Sequence, residues 1–273
     1  MAGSPGSRVS IARRLLWGHV GFVYAFMYLP VAVIALFSFN ASKIVAFPLQ
    51  GFTFDWYVKV LGDGRILGGL GITFLVAIPT AILATVLGAM AALALTRSTL
   101  KHPIAFAGLL FLPFLVPKVI LAVAQLIVLS ELGITKGITT VVLGQTLIIL
   151  PFTTLIVASV LVRLDPRLEE AGADLGADSS QIFRRILFPL MKNGLTAAFF
   201  IAFVLSSSEY VVTSFISGRS QPLSILVASD FRFDLSPSLD ALAVLMVVAN
   251  LTIVAAGELI RYRARYNSAR PAD

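Results

Sequence analysis

The chain has 273 residues, 58% of them hydrophobic and 13% charged, with a mean hydropathy of +0.93. Soluble domains carry about 25% charged residues, so this composition excludes an ordinary water-soluble globule and makes membrane lipid the expected surround. The net charge of +7 reflects topology and anionic headgroups and calls for no nucleic acid, and zero cysteines exclude disulfides, thiolate metal sites and cysteine catalysis.

A helix needs about 20 apolar residues to cross roughly 30 Å of hydrocarbon, and six runs meet that length. The first, Leu15 to Phe39, follows Arg13 and Arg14 but is too long for a signal-peptide core and is closed by no small-x-small cleavage site. It is expected to be a retained helix. In the connection after it, Pro48, Gly51, Gly62 and Gly64 break regular structure, while Phe52, Phe54, Trp56 and Tyr57 suit the headgroup belt. A short amphipathic piece on the outer face is expected there. The remaining runs are Leu67 to Leu95, Ile104 to Leu129, Ile138 to Val162, Gly194 to Ile216 and Leu239 to Ile260.

Backbone groups cannot go unpaired in lipid, and these runs are too continuous for barrel strands, so an all-α polytopic membrane protein is expected. Six transmembrane helices forming a single domain over residues 1–273 are expected. Pro79, Pro113, Pro117 and Pro151 are placed to kink helices, and Lys118 after Pro117 either snorkels or marks a broken helix. Gln125, Gln145 and Asn250 read as interhelical glue. His19 and His102 sit near membrane boundaries, far apart in sequence, and no metal site is expected.

The N-terminus, the second and fourth connections and the C-terminus hold 14 of the 21 Lys and Arg, which the positive-inside rule assigns to the cytoplasm. Both termini are therefore expected inside. The first connection and the one after the fifth span, SGRSQPLSILVASDFRFDLSPS, then face outward as polar connectors, a natural surface for an extracytoplasmic partner.

The fourth connection, residues 163–193, carries a polar hook. Asp165 and Pro166 form a helix start, and Gly176 is placed to supply a left-handed C-terminal cap. Asp178 and Gln181 form a capping-box pair that restarts the chain, with Ile182, Ile186 and Pro189 finishing a second helix and turning it back toward the membrane. Leu168, Ala171 and Leu175 make a small apolar ridge flanked by Glu169, Glu170 and Asp174, a shape that fits a groove.

The hook resembles the signature loop of permease subunits of bacterial ATP-binding-cassette importers, Glu-Ala-Ala, three residues, Gly, nine residues, Ile-x-Leu-Pro. Here it stands as Glu170-Ala171-Gly172, then Gly176, then Ile186-Leu187-Phe188-Pro189, with Gly172 and Phe188 as the departures. LPVAVIALFSFNAS, GFTFDWY, LPFLVPKVI, LPF and SSSEYVVTSFISG are similar to stretches of permeases of the spermidine/putrescine group, in particular its second permease subunit.

The resemblance implies a type I ABC importer permease fold in a bacterial inner membrane. The loop between helices 4 and 5 would be a coupling helix, with Glu169, Glu170, Ala171, Gly172, Asp174, Gly176, Ile186 and Pro189 engaging an ATPase subunit. It also implies partners: a second homologous permease, two copies of the ATPase, which bind ATP and Mg, and a periplasmic or extracellular solute-binding protein. No GxxxxGK[ST] phosphate loop is present, so no catalytic residue or cofactor is expected in this chain.

Glu209 lies at membrane depth in the fifth run, where a carboxylate costs about 2.5–3.5 kcal/mol on insertion scales and therefore marks a pathway or a partner contact. Ser207 and its neighbouring serines with Tyr210 suit a wet cavity, and the polyamine resemblance implies that Glu209 attracts a cationic solute with Tyr210 as a cation-π face. Pairing of Glu209 with the sister permease, or solvation near the outer interface, is the alternative. Similar permeases carry aminophosphonates, iron, thiamine or opines, so the solute stays open. An ion-coupled secondary transporter would show inverted repeats and several deep acidic residues, and an intramembrane enzyme a convergent catalytic set; neither pattern is found.

Overall fold

The computed structural model describes residues 5–44, 46–97, 100–233 and 236–268. Regular structure among them is helical, apart from one isolated antiparallel bridge between Asn40 and Phe52. Five helices are long and apolar enough to cross a membrane, and a sharply bent helix pair makes a sixth candidate. The chain divides into two compact units, with boundaries after Asp63 and before Asp230.

The outer unit in sequence contains α1 (Pro5–Phe37), α2 (Asp55–Gly62) and α12 (Pro237–Ser268), and α12 packs on both of the others. The apolar side chains of α1, such as Phe22 and Phe26, are exposed, as suits a surface in contact with lipid tails. The amphipathic piece expected after the first span is α2. Its approach is ordered by the buried Asn40, whose side chain accepts from Gln50 N at 3.1 Å and donates to Ile44 O at 3.2 Å. Asn40 O accepts from Trp56 Nε1 at 2.7 Å, and the Phe39 ring packs on Phe54 and Tyr57.

The inner unit runs from Gly64 to Ser229. Its frame is α3 (Gly64–Arg97), α6 (Ile138–Leu161) and α9 (Phe188–Ser207). Small residues let these helices approach closely. A Cβ on Gly88 would fall 2.8 Å from Thr153 Cβ and 3.0 Å from Thr154 N, and the Thr153 hydroxyl donates to Ala84 O at 2.7 Å. A Cβ on Gly194 would lie 2.8 Å from Val160 Cγ2. At one end of the frame Ala92, Val157, Leu161, Leu187, Met191 and Ala198 form a buried apolar cluster.

Four sequence expectations are corrected. The third span is not one helix over 104–129: α4 (Pro103–Leu115) and α5 (Lys118–Glu131) meet at an angle of 103°. Pro117 has no amide to donate and pushes Val116 into extended backbone, with ψ 130°, so the helix cannot pass through. Lys118 is thus the first residue after a break.

The fifth span is also interrupted, because α9 stops at Ser207 and α10 (Val211–Ile216) begins anew. The hydroxyls of Ser207 and Ser208 both donate to Val204 O, at 3.0 and 2.9 Å, competing with the backbone ladder. Glu209 therefore lies in the break, not within a helix.

The connection after that span is not a polar connector throughout. Residues Leu223–Phe233 form α11, with Leu223 and Leu226 buried. Leu223 N donates to Thr73 Oγ1 at 2.8 Å and Leu226 covers Gly69, so the apolar run SILVA belongs to the packed body.

Finally, Pro189 does not end the hook's second helix. The chain runs from α8 (Ser179–Ile182) through a π turn at Phe183–Leu187 straight into α9, a continuous helix over Ser179–Ser207. The wide turn sits where the Pro189 ring would otherwise press on the Arg185 carbonyl.

Candidate functional site

The first helix of the hook is α7 (Arg167–Asp174). Its cap is one residue later than the sequence implies: Pro166 stands at the N-cap and Asp165 Oδ1 accepts from Arg167 N at 3.0 Å. At the other end Gly176 has φ +83°. Gly176 N bonds Ala173 O at 2.8 Å and Ala177 N bonds Gly172 O at 3.1 Å, the paired bonds of a Schellman cap. Asp178 then accepts from Gln181 N at 2.8 Å while Gln181 Oε1 accepts from Asp178 N at 3.2 Å, completing the capping box.

The two arms of the hook close on each other at Gly172, which is buried and where a Cβ would lie 2.8 Å from Ile186 Cδ1. Gly at this position, in place of the signature's Ala, thus allows a tight turn of α7 against the second arm. Leu187 and Met191, just beyond Ile186, enter the buried cluster shared with α3 and α6. Facing outward are Glu170, Ala171, Asp174 and Pro189, together with Leu168 at 47% and Leu175 at 89% exposure. Leu168 on α7 and Leu175 at its C-cap are thus two large apolar side chains left exposed, while Gly172 is buried and Glu169 partly covered.

Glu169 behaves differently from its neighbour. Its Oε1 accepts from Arg97 Nε at 2.6 Å, with both side chains largely covered, and Arg97 also donates from Nη2 to Leu161 O and Leu164 O, both at 3.0 Å. The sequence marked Arg97 only as a charge that sets orientation. Nothing in its spacing ties it to a residue 72 positions on.

The second group of residues surrounds the break at Ser208–Tyr210. Glu209 is 5% exposed, and its Oε1 accepts from Val212 N at 3.2 Å, capping the start of α10. Its backbone carbonyl accepts from Thr213 Oγ1 at 2.9 Å and Ser224 Oγ at 3.0 Å. Gln145 of α6, 1% exposed, donates to Thr213 Oγ1 at 2.8 Å and accepts from Ser206 Oγ, the interhelical glue expected of it. Ser207 is buried and Tyr210 half-buried beside Glu209. Gln125 Nε2 donates more weakly to Gly144 O, at 3.4 Å. Among the described residues no group of three His, Cys, Asp or Glu is arranged to hold a metal ion.

These helices, the bent third span and the broken fifth define an integral membrane transport subunit. Residues 84–266 match the family of binding-protein-dependent transport system inner membrane components, and the chain belongs to that family. It is a multi-pass inner-membrane permease subunit. Over 251 residues it is 32% identical to the spermidine/putrescine transport system permease protein PotC of Escherichia coli (strain K12), covering 92% of this chain and 95% of that one. It is 30% identical over 234 residues to the putrescine transport system permease protein PotI of the same strain, covering 83% of each. Among solved structures, that of a bacterial alginate ABC transporter in complex with a pentasaccharide-bound periplasmic protein aligns with TM-score 0.74 over 94% of this chain and 96% of that one, at 14% identity. The fold is that of type I ABC importer permeases.

Proposed function

We propose that residues 1–273 act as one permease domain of an ATP-driven polyamine importer, pairing with a homologous permease to enclose the solute pathway. The hook docks in a groove of one of two ATPase subunits, which hold ATP and Mg, and a periplasmic or extracellular binding protein delivers solute from outside. With α4 and α5 counted as one broken span the number of candidate spans is even, which supports both termini lying on one side, and the basic residues favour the cytoplasm for that side and for the hook.

The observation that carries this reading is the hook itself: Leu168 and Glu170 on α7 and Leu175 at its C-cap are exposed, while Gly172 closes on Ile186 of the second arm and Leu187 joins that arm to the bundle. A force applied to the exposed ridge is delivered to packed helices. ATP-driven closure of the ATPases draws the two hooks together and rocks the bundles from inward-open to outward-open.

The polyamine assignment rests on the names of the relatives and on Glu209. A carboxylate in a helix break at membrane depth, bonded through Oε1 to Val212 N and followed in the chain by Tyr210, is suited to an organic cation. Co-expression with the partner genes and purification tests the whole: a stable complex whose ATP hydrolysis is stimulated by spermidine-loaded binding protein supports it. A chain that purifies alone and transports without ATP refutes it.

A further inference from the structure

We propose that Arg97 is the positioning residue of the coupling hook: its guanidinium joins α3, α6 and α7 at one point and fixes the angle at which α7 is presented. The inference rests on the coupling role given to the hook above and divides that role between its two glutamates.

Arg97 closes α3, and its three strongest contacts go to two other segments. Nε donates to Glu169 on α7, and Nη2 donates to Leu161 O at the end of α6 and to Leu164 O in the turn that follows. Leu161 O, which ends α6 and already accepts from Leu164 N at 3.1 Å, lies at the negative end of the helix dipole, so Arg97 brings it a second, charged donor and also serves Leu164 O in the turn. A planar fork with five N–H groups reaches a carboxylate and two carbonyls together; a lysine ammonium on a flexible stem does not hold the same three in fixed directions.

α7 has only eight residues, too few for a helix to hold its own direction, so its orientation comes from what it is tied to. Its ties are the Gly172 contact with Ile186 on one side and the Arg97 pair with Glu169 on the other. Those two ties lead to different segments, the π turn that runs into α9 and the end of α3. With both made, α7 cannot tilt toward its ATPase without carrying the ends of α3 and α6. Glu169 is spent on this inward pair, at 23% exposure, while Glu170 one residue later points outward and is the one free to meet the ATPase.

The experiment uses the complete importer in nanodiscs and reads ATP hydrolysed per solute imported, in Glu169→Gln, Arg97→Lys and Gly176→Ala. A second readout is the distance distribution between spin labels at Ser180→Cys on the hook and Ser159→Cys on α6. Both serines are exposed, and the chain contains no cysteine to interfere. Glu169→Gln and Arg97→Lys are expected to raise the ATP-to-solute ratio at least fivefold and to broaden the label distance, with ATPase still bound. Should Arg97→Lys fail to assemble, Glu169→Gln decides, since it leaves Arg97 on the two carbonyls. An unchanged ratio and distance in Glu169→Gln overturns the positioning role. If Gly176→Ala still uncouples in that case, the coupling role of the hook stands; if all three variants keep the wild-type ratio, the coupling role fails as well.

Discussion

Gly176 allows the hook's contribution to be separated into backbone and side-chain parts. Its φ of +83° lies where an L-residue other than Gly costs about 1–2 kcal/mol, and a Cβ built there meets nothing within 4 Å. The cost of Gly176→Ala is therefore conformational, with no clash to add to it. Carried by the Schellman bonds from Gly176 N and Ala177 N, it lowers the population of the closed hook about 5- to 30-fold. Asn tolerates the left-handed region better, so Gly176→Asn falls between the two. Hydrogen exchange at the amides of residues 176 and 177, measured in nanodiscs beside solute uptake, is expected to rank Gly, Asn, Ala in both readouts. If uptake collapses in Ala while exchange stays as in the parent, the loss comes from a methyl group meeting the ATPase and the strain argument is wrong.

Three further outcomes follow from the packing. Leu175→Ser, at an 89% exposed position, leaves the melting temperature of the permease near that of the parent, a change within about 0.5 kcal/mol, yet weakens ATPase co-purification; equal recovery of ATPase would remove Leu175 from the docking ridge. Glu209→Gln keeps an oxygen to accept from Val212 N and loses only charge, so uptake of a divalent or larger polyamine falls at least tenfold with assembly intact, whereas Glu209→Ala also loosens α10; polyamine kinetics unaltered in Glu209→Gln would exclude Glu209 from the pathway. Gly88→Leu drives a side chain into Thr153 and the backbone at Thr154, at a cost of about 1–3 kcal/mol or more, and is expected to lower thermal stability in detergent and the yield of folded protein.

The long spans were legible because hydrocarbon thickness imposes a length that any apolar run reveals, and α3 and α6 lie within a few residues of their expected limits. The caps of the hook were legible because Asp178, Gln181 and Gly176 act through local backbone geometry. Less was visible where apolar continuity concealed a change of direction. Val116 and Pro117 sit in an unbroken apolar stretch, so hydropathy registers one span where the backbone turns by 103°. Ser207 and Ser208 register as polar residues in a helix, although their hydroxyls draw on the Val204 carbonyl and end it. Arg97 was out of reach for a different reason: its partners lie 64 to 72 residues away, and no local pattern encodes that meeting.

The uninterrupted helix from Ser179 to Ser207 has a geometric consequence. Its 29 residues, at 1.5 Å each, make a rod of about 44 Å with the hook at one end and the Glu209 break at the other. A swing of about 5° around either end displaces the opposite end by about 4 Å, more than the length of a hydrogen bond. A small rotation at the hook end is thereby enlarged, at the Glu209 end, to the scale on which a single polar contact is made or lost. The π turn, near the hook end of the rod, leaves the 20 residues of α9, about two thirds of the lever arm, on the far side.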